Sequence, residues 1–307
     1  MASPGRPVVH VVVVSYRTPR LLERCLASLR PEVDAGRATV TVVDNASGDG
    51  SAELARGLGF AVREPGANLG FGAAVLLGAR DAAPAAWIAP ANADVALEPG
   101  ALDALLDAAE RDPRAGILAP RLLTPDGAVQ HSVHPFPSVR FAAAFALGVV
   151  ERSPRLRRQQ VLEGHWDADA GRRVPWAHGA LLLVRREAWD RIGGFDPAMW
   201  MYAEDLDLCW RAARAGWATR YAPAARVRHE VSAATAVAWG DARRRRALAA
   251  TYGWIARRRG AWRAAAVGLL HLAGSAGRAA AGAAPGRRYH AAWAIDHARA
   301  LGALLRR

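Results

Sequence analysis

The sequence predicts an α/β protein built around a largely parallel sheet. Three observations lead there. Before Val95, β-branched or apolar runs alternate four times with helical patterns. The connections between them are short. Polar residues collect just after the strands, where open α/β sheets bind their ligands.

The elements follow in order. Val8–Val14, bounded by Pro7 and Ser15, reads as a buried strand. Thr18-Pro19 opens a helix over 20–30, with Leu22, Cys25, Leu26 and Leu29 on one face. The run 38–47 is a strand ending in polar residues, and Ser51 can cap the helix that follows. A short strand falls near Phe60–Arg63, and NLGFGAA (68–74) leads into another helix. AAWIAPANADV (85–95) is a strand breaking into a loop, and a helix runs from Leu97 to Arg111. Strand and turn occupy 117–138, with Asp126-Gly127 as the turn signal. Residues 139–173 lack pattern and read as a loop. A strand over Ala180–Val184, a short helix and a Gly193-Gly194 turn come next. A helix then runs to Ala215 with Gly216 as its stop, and a last strand from Thr219 ends at His229.

The chain has 307 residues, 52% hydrophobic and 22% charged, which is globular rather than disordered. Two cysteines make no disulfide framework, so a reduced cytoplasm is expected. No small-residue cleavage site follows VVHVVVV, so no secretory signal is expected. The longest uncharged apolar run, 264–277, is too short to span a bilayer. The net charge of +13 is concentrated at one end. Residues 241–307 hold 14 Arg and two acids, whereas the first 240 hold 27 Arg and 26 acids. This places a domain at 1–240 and an Arg-rich helical tail at 241–307.

Ser15 follows the first strand, Asp44-Asn45 the second and Asn92-Ala93-Asp94 the fourth. No G-x-G-x-x-G follows the first strand, and the chain has no lysine for a Walker A loop. Asn68 precedes a glycine-bearing turn, where it either opens the helix or helps its N-terminus receive an anion. In WMYAEDLDLCW (200–210), Glu204, Asp205 and Asp207 stand among Trp200, Met201, Tyr202 and Trp210. The helix dipole accounts for acids in a first turn but not for their aromatic flanks. Asp207 can pair with Arg211 one turn on.

As an ordered set, VVVVSYRTPRLLERCLASL, VVDNASGDGS, NLGFGAA, NADV and GGFDPAMWMYAEDLDLCWRAARAGW resemble the family 2 glycosyltransferases over residues 8–235. The likeness is greatest to the bacterial rhamnosyltransferase branch. It implies the GT-A fold and inverting transfer from a nucleotide-diphosphate sugar in polysaccharide or cell-wall synthesis. Ser15, Asp44, Asn68, Asn92 and Asp94 are then donor-binding, with Asp44 on the base or ribose. NAD resembles the family's D-x-D element with Asn92 in place of the first acid. Asp94 is the expected ligand of Mg²⁺ or Mn²⁺, joined by His229. Asp205, the second acid of the matching E-D element, is the expected base. Glu204, Trp176 and His178 lie on the acceptor side. The favoured donor is dTDP-L-rhamnose, with UDP- and GDP-sugars as alternatives, and the acceptor is a saccharide or polyprenyl-linked glycan.

The tail interleaves arginines with Tyr252, Trp239, Trp254, Trp262 and Trp293, which suits an anionic membrane surface on the cytoplasmic side. No nucleic-acid recognition motif accompanies it, so nucleic acid is not an expected partner. A silent nucleotide- or glycan-binding protein of the same fold is disfavoured, because candidate base and metal ligand are both present.

Overall fold

The computed structural model describes residues 9–82, 85–155, 166–230, 242–282 and 284–306. Val8 and the expected 240/241 boundary lie outside them. Four strands pair in parallel in the order β3 (Ala61–Arg63), β2 (Ala38–Asp44), β1 (Val9–Ser15), β4 (Trp87–Asn92). Every residue of β1 is buried, as a β-branched run covered on both faces requires.

α1 (Pro19–Asp34) buries Leu22, Cys25, Leu26 and Leu29, as their spacing predicts. Fully burying each leucine contributes about 1.5–3 kcal/mol. The helix runs on through Pro31 although an end at Arg30 is expected. Proline removes only one helical donor here. The last turn still closes through Ala35 N–H to Pro31 O (3.1 Å) and Gly36 N–H to Val33 O (2.9 Å). α2 (Ser51–Gly57) begins after Gly50, and Ser51 does not cap it. Its own N–H instead reaches Asp49 Oδ1 at 3.1 Å. α3 (Phe71–Gly78) follows the Asn68 turn.

After β4 the chain turns into β5 (Val95–Leu97), so the helix expected from Leu97 starts only at α4 (Ala101–Glu110). The reason is non-local: Leu97 pairs with Val227 of β11 (Ala218–His229). β6 (Ala115–Leu123) lies parallel to β11. β10 (Leu183–Arg185), shorter and later than the expected 180–184, runs antiparallel to both β4 and β6. The sheet is therefore mixed, in the order β3-β2-β1-β4-β10-β6-β11-β5, with β8 (Arg172–Val174) on β11. β7 (Val133–His134) and β9 (Trp176–Ala177) form a separate two-stranded ribbon. α7 (Arg186–Ile192) ends at Gly193-Gly194, both in left-handed backbone. α8 (Glu204–Arg214) carries the acidic stretch.

The expected loop at 139–173 is corrected in part. α5 (Val139–Ala146), capped by Ser138 Oγ on Phe141 N–H (3.2 Å), and α6 (Val149–Arg152) lie within it. The partner of α5 lies far along the chain, so local pattern did not reveal it: Arg278 Nη2 donates to Phe145 O at 2.5 Å.

The chain divides into two compact units, Met1–His134 with Asp167–Ala234, and Pro135–Trp166 with Thr235–Arg307. The first contains the whole sheet. The second contains α5, α6 and the helices α9 (Ala242–Arg259), α10 (Ala261–Ala281) and α11 (Ala284–Leu305). Its interior holds Tyr252, Trp254, Ile255, Val267 and Leu301. The Tyr252 hydroxyl meets His297 Nδ1 at 2.5 Å, and His297 stacks on His271 with centroids 5.4 Å apart.

Candidate active site

Strand register builds the donor side. Ser15 stands opposite Asp44, and Val14 opposite Asn92, so three parallel strands end in one row. Ser15 and Asp44 are buried, and Ser15 Oγ has no hydrogen-bond partner among the described residues. Asp44 accepts the Ser47 hydroxyl, and Ser47 Oγ accepts Arg17 N–H at 3.0 Å. Asn68 uses its side-chain oxygen locally, accepting Asn45 Nδ2 (3.1 Å) and Gly70 N–H (2.9 Å). Among the described residues, left-handed non-glycine backbone occurs at Arg17, Ala46, Tyr202 and Ala203. All four lie in loops that adjoin Ser15, Asp44 or Glu204, where such strain collects.

β5 pairing with β11 sets Val95 opposite His229 and brings Asp94 beside that imidazole. His229 Nε2 lies 3.4 Å from Asp94 Oδ1, and both side chains are buried. The other ring nitrogen, Nδ1, meets Gln130 Oε1 at 2.8 Å. With Nδ1 engaged by Gln130, Nε2 is the ring nitrogen turned toward Asp94. It faces a carboxylate oxygen that is buried without a hydrogen-bond partner. A carboxylate oxygen and an imidazole nitrogen at this separation can share a divalent cation, and the pair is a sound donor set for Mn²⁺. Among the described residues no group of three His, Cys, Asp or Glu side chains gathers as a metal centre. Asp94 and His229 thus fit a cation whose remaining ligands would come from substrate and water.

The acidic stretch divides three ways. Asp207 is fully buried and bonds Arg211 Nε at 2.6 Å, while Arg211 also reaches Ile192 O and Gly194 O. It is the structural acid of the three. Asp205 accepts Gly179 N–H on Oδ2 (2.9 Å) and Leu206 N–H on Oδ1 (2.7 Å). A Cβ at Gly179 would come within 3.1 Å of Asp205 Cβ, so glycine permits this approach. Glu204 is buried beside it with Oε2 unpartnered. Burial first, and the neighbouring Asp205 second, push the Glu204 carboxyl up to about 8.

His178 lies within electrostatic range of both Asp205 and His229, and burial holds its imidazole below the ordinary value. Its Nε2 meets His134 Nε2 at 2.9 Å, and Trp176 lies over His134 with centroids 4.7 Å apart. His178 thus brings residues expected on the acceptor side into electrostatic range of the expected metal ligand His229. Sequence reasoning missed Gln130 and His134, visible only as a His-rich QHSVH run, and it missed what Asn45, Gly179 and Trp200 do. A cavity of about 330 Å³ bordered by His10, Thr39, Phe60 and Asp81 involves none of these residues. Cys25 and Cys209 are free and buried, which pushes both thiols up to about 12.

Comparison with known proteins bears on these residues. The family described as "Glycosyltransferase like family 2" matches residues 4–251. N-acetylglucosaminyl-diphospho-decaprenol L-rhamnosyltransferase of Mycobacterium tuberculosis is 41% identical over 244 residues, covering 74% of this chain and 78% of that protein. Rhamnosyltransferase WbbL of Escherichia coli K12 is 45% identical over 51 residues, 17% of this chain and 19% of its own. Among solved structures, mannosyltransferase PcManGT from Pyrobaculum calidifontis, in complex with GDP-Man and Mn²⁺, has a TM-score of 0.59 at 21% identity. It covers 98% of this chain and 87% of that one. GalNAc-T7 with UDP, GalNAc and Mn²⁺ has a TM-score of 0.53 at 16% identity, covering 73% and 44%. The structural likeness is one of fold, the GT-A fold. With the family match spanning most of the chain and polar residues in one row at the parallel strand ends, this chain belongs to the family 2 glycosyltransferases, in their rhamnosyltransferase branch.

Proposed function

We propose that this glycosyltransferase moves L-rhamnose from dTDP-L-rhamnose onto a lipid-linked or growing saccharide, with inversion, in cell-wall or polysaccharide synthesis. The observation that carries the reading is the Asp205 carboxylate, fixed by two backbone N–H groups and linked through the field at His178 to His229, which lies 3.4 Å from Asp94. The acceptor and sugar are taken from the Mycobacterium tuberculosis relative, whose name states both.

In one displacement the acceptor oxygen bonds the anomeric carbon as the sugar–phosphate bond breaks. The acceptor proton passes to Asp205, and the nucleoside diphosphate leaves with the bonding pair. The Gly179 and Leu206 N–H groups hold the carboxylate in place and leave its remaining lone pairs for the acceptor. With Glu204 protonated, the acid pair carries less repulsion and Glu204 can donate a hydrogen bond to the acceptor. Trp176 and His178 line the acceptor side. Ser15, Asp44, Asn68 and Asn92 bind the nucleotide side of the donor. Asp94 and His229 would hold a divalent cation, which when bound stabilises charge on the departing diphosphate.

The chemistry is assigned to residues 1–240 and membrane docking to the tail at 241–307. Among the described residues no helix is long and apolar enough to cross a membrane. Trp262 and Leu269 are 64% and 57% exposed on α10 and lie two turns apart on one face. Ala273, Ala276 and Ala280 continue as exposed apolar positions, and Arg263 and Arg278 are the only charged residues of α10. Leu147, which follows α5 in the same unit, is 71% exposed. This pattern suits the cytoplasmic face of an anionic bilayer.

The first experiment is a thermal-shift screen against dTDP, UDP, GDP and NAD, with and without Mn²⁺. A Mn²⁺-dependent rise with dTDP is expected. A response to UDP or GDP alone would replace the donor, and no response to any would overturn the transferase reading.

A further inference from the structure

Asn45 has no part in the chemistry above, yet its side chain is 3% exposed and fully engaged. Its Oδ1 accepts Leu69 N–H at 2.8 Å. Its Nδ2 donates to Asn68 Oδ1 at 3.1 Å and to Gly70 O at 3.2 Å. One buried amide therefore ties the end of β2, beside Asp44, to the loop that opens α3.

That loop is joined in turn to the segment ahead of the acids. Trp200 Nε1 donates to Asn68 O at 3.3 Å, and Phe71 N–H donates to Trp200 O at 3.3 Å. Gly70 has φ 78°, and a methyl on it would overlap the Trp200 carbonyl. Four residues separate Trp200 from Asp205, and two of them, Tyr202 and Ala203, have left-handed backbone with φ 65° and 64°. Such conformations cost on the order of 1 kcal/mol or more each and persist only where surrounding contacts impose them. The Trp200 contacts are well placed to do this.

We infer that Asn45 and Trp200 are positioning residues, the two ends of a latch that fixes the Asp205 carboxylate relative to the donor side. The latch acts through Asn68 and Gly70 and touches neither the anomeric carbon nor the acceptor. The inference rests on the reading of Asp205 as base. Misplacing a reacting group by about 1 Å can cost roughly 10²-fold in rate.

The test is amide hydrogen exchange on the full chain, comparing the parent with Asn45→Ala, Asn45→Asp and Trp200→Phe, without ligand. Asn45→Asp sets a carboxylate against two acceptors, whereas Trp200→Phe keeps an aromatic ring and removes the indole donor. The latch requires faster exchange at Leu206 and Asp207 in all three, by about tenfold or more, with β1 and β11 unchanged. Faster exchange confined to residues 69–71 would reduce Asn45 to a local turn former and overturn the proposal. This arm needs no substrate, so it is decided even if the donor assignment fails.

Turnover is the second readout, using dTDP-L-rhamnose with a polyprenyl-diphosphate N-acetylglucosamine. Asn45→Ala and Trp200→Phe should each lower kcat by about ten- to a hundredfold and leave the dTDP dissociation constant within about threefold. The double variant should lose no more than the worse single one. Multiplicative losses, or losses explained wholly by weaker dTDP binding, would overturn the coupling. Retained turnover in Asp205→Asn would instead sink the base assignment and leave the exchange result standing.

Discussion

Glu204→Gln should stabilise the protein, and by more as pH rises. The Glu204 carboxyl is buried, has an unpartnered oxygen and lies beside a second acid, so its folded-state value stands near 8 against an ordinary 4.5. For an acid raised in this way, the native state binds the proton that the unfolded chain has lost. Its contribution is most favourable below 4.5 and is lost progressively as pH rises to about 8. Each pH unit in that window costs the parent protein about 1.4 kcal/mol. Gln has the shape of the neutral acid and no such dependence. Its advantage should grow by roughly 2–3 kcal/mol between pH 5.5 and 7.5, a slope that belongs to the Glu204–Asp205 pair. Urea unfolding of both proteins at the two pH values, followed by tryptophan fluorescence, measures it directly. Equal advantage at both pH values, or a variant less stable at pH 7.5, would mean that Glu204 is ionised and paired. Because Gln still donates a hydrogen bond, turnover should stay within about tenfold of the parent.

Asp205→Asn should lower turnover by at least about 10³-fold with nucleotide binding intact, and near-parent turnover would refute the base assignment. It should also cost about 1–3 kcal/mol of stability, since an amide NH₂ must face one of the two N–H groups that now grip the carboxylate. Asp94→Asn and His229→Ala should remove the Mn²⁺ dependence of nucleotide thermal shifts; an unchanged dependence would place the cation elsewhere. Burial holds His271 and His297 near 4, so stability present above pH 6.5 should drain away toward pH 4, by up to roughly 3 kcal/mol per ring. Exchanging both for Asn should flatten that acid-side loss in melting curves, and an undiminished slope would contradict it. On α10, Trp262→Ser with Leu269→Ser should weaken flotation with phosphatidylglycerol vesicles several-fold; no change would reject docking by this face.

The sequence by itself determined what local physics controls. Continuous β-branched runs and helical patterns placed β1, α1, β2 and α8, because their burial is written in consecutive residues. Ser15, Asp44, Asn92 and Asp94 were legible as strand-end residues, and the common row of Ser15, Asp44 and Asn92 follows from parallel register. The ordered motifs supplied the family. The tertiary structure alone decided what depends on distant partners. Leu97 is a strand residue because β11 pairs with it, and α5 is a helix within the segment read as loop, packed through Phe145 against Arg278. The approach of His229 to Asp94, the grip of Gly179 on Asp205 and the Asn45–Trp200 connection join residues 26 to 155 positions apart. No local propensity encodes such contacts, because their free energy comes from groups that meet only once the sheet has formed.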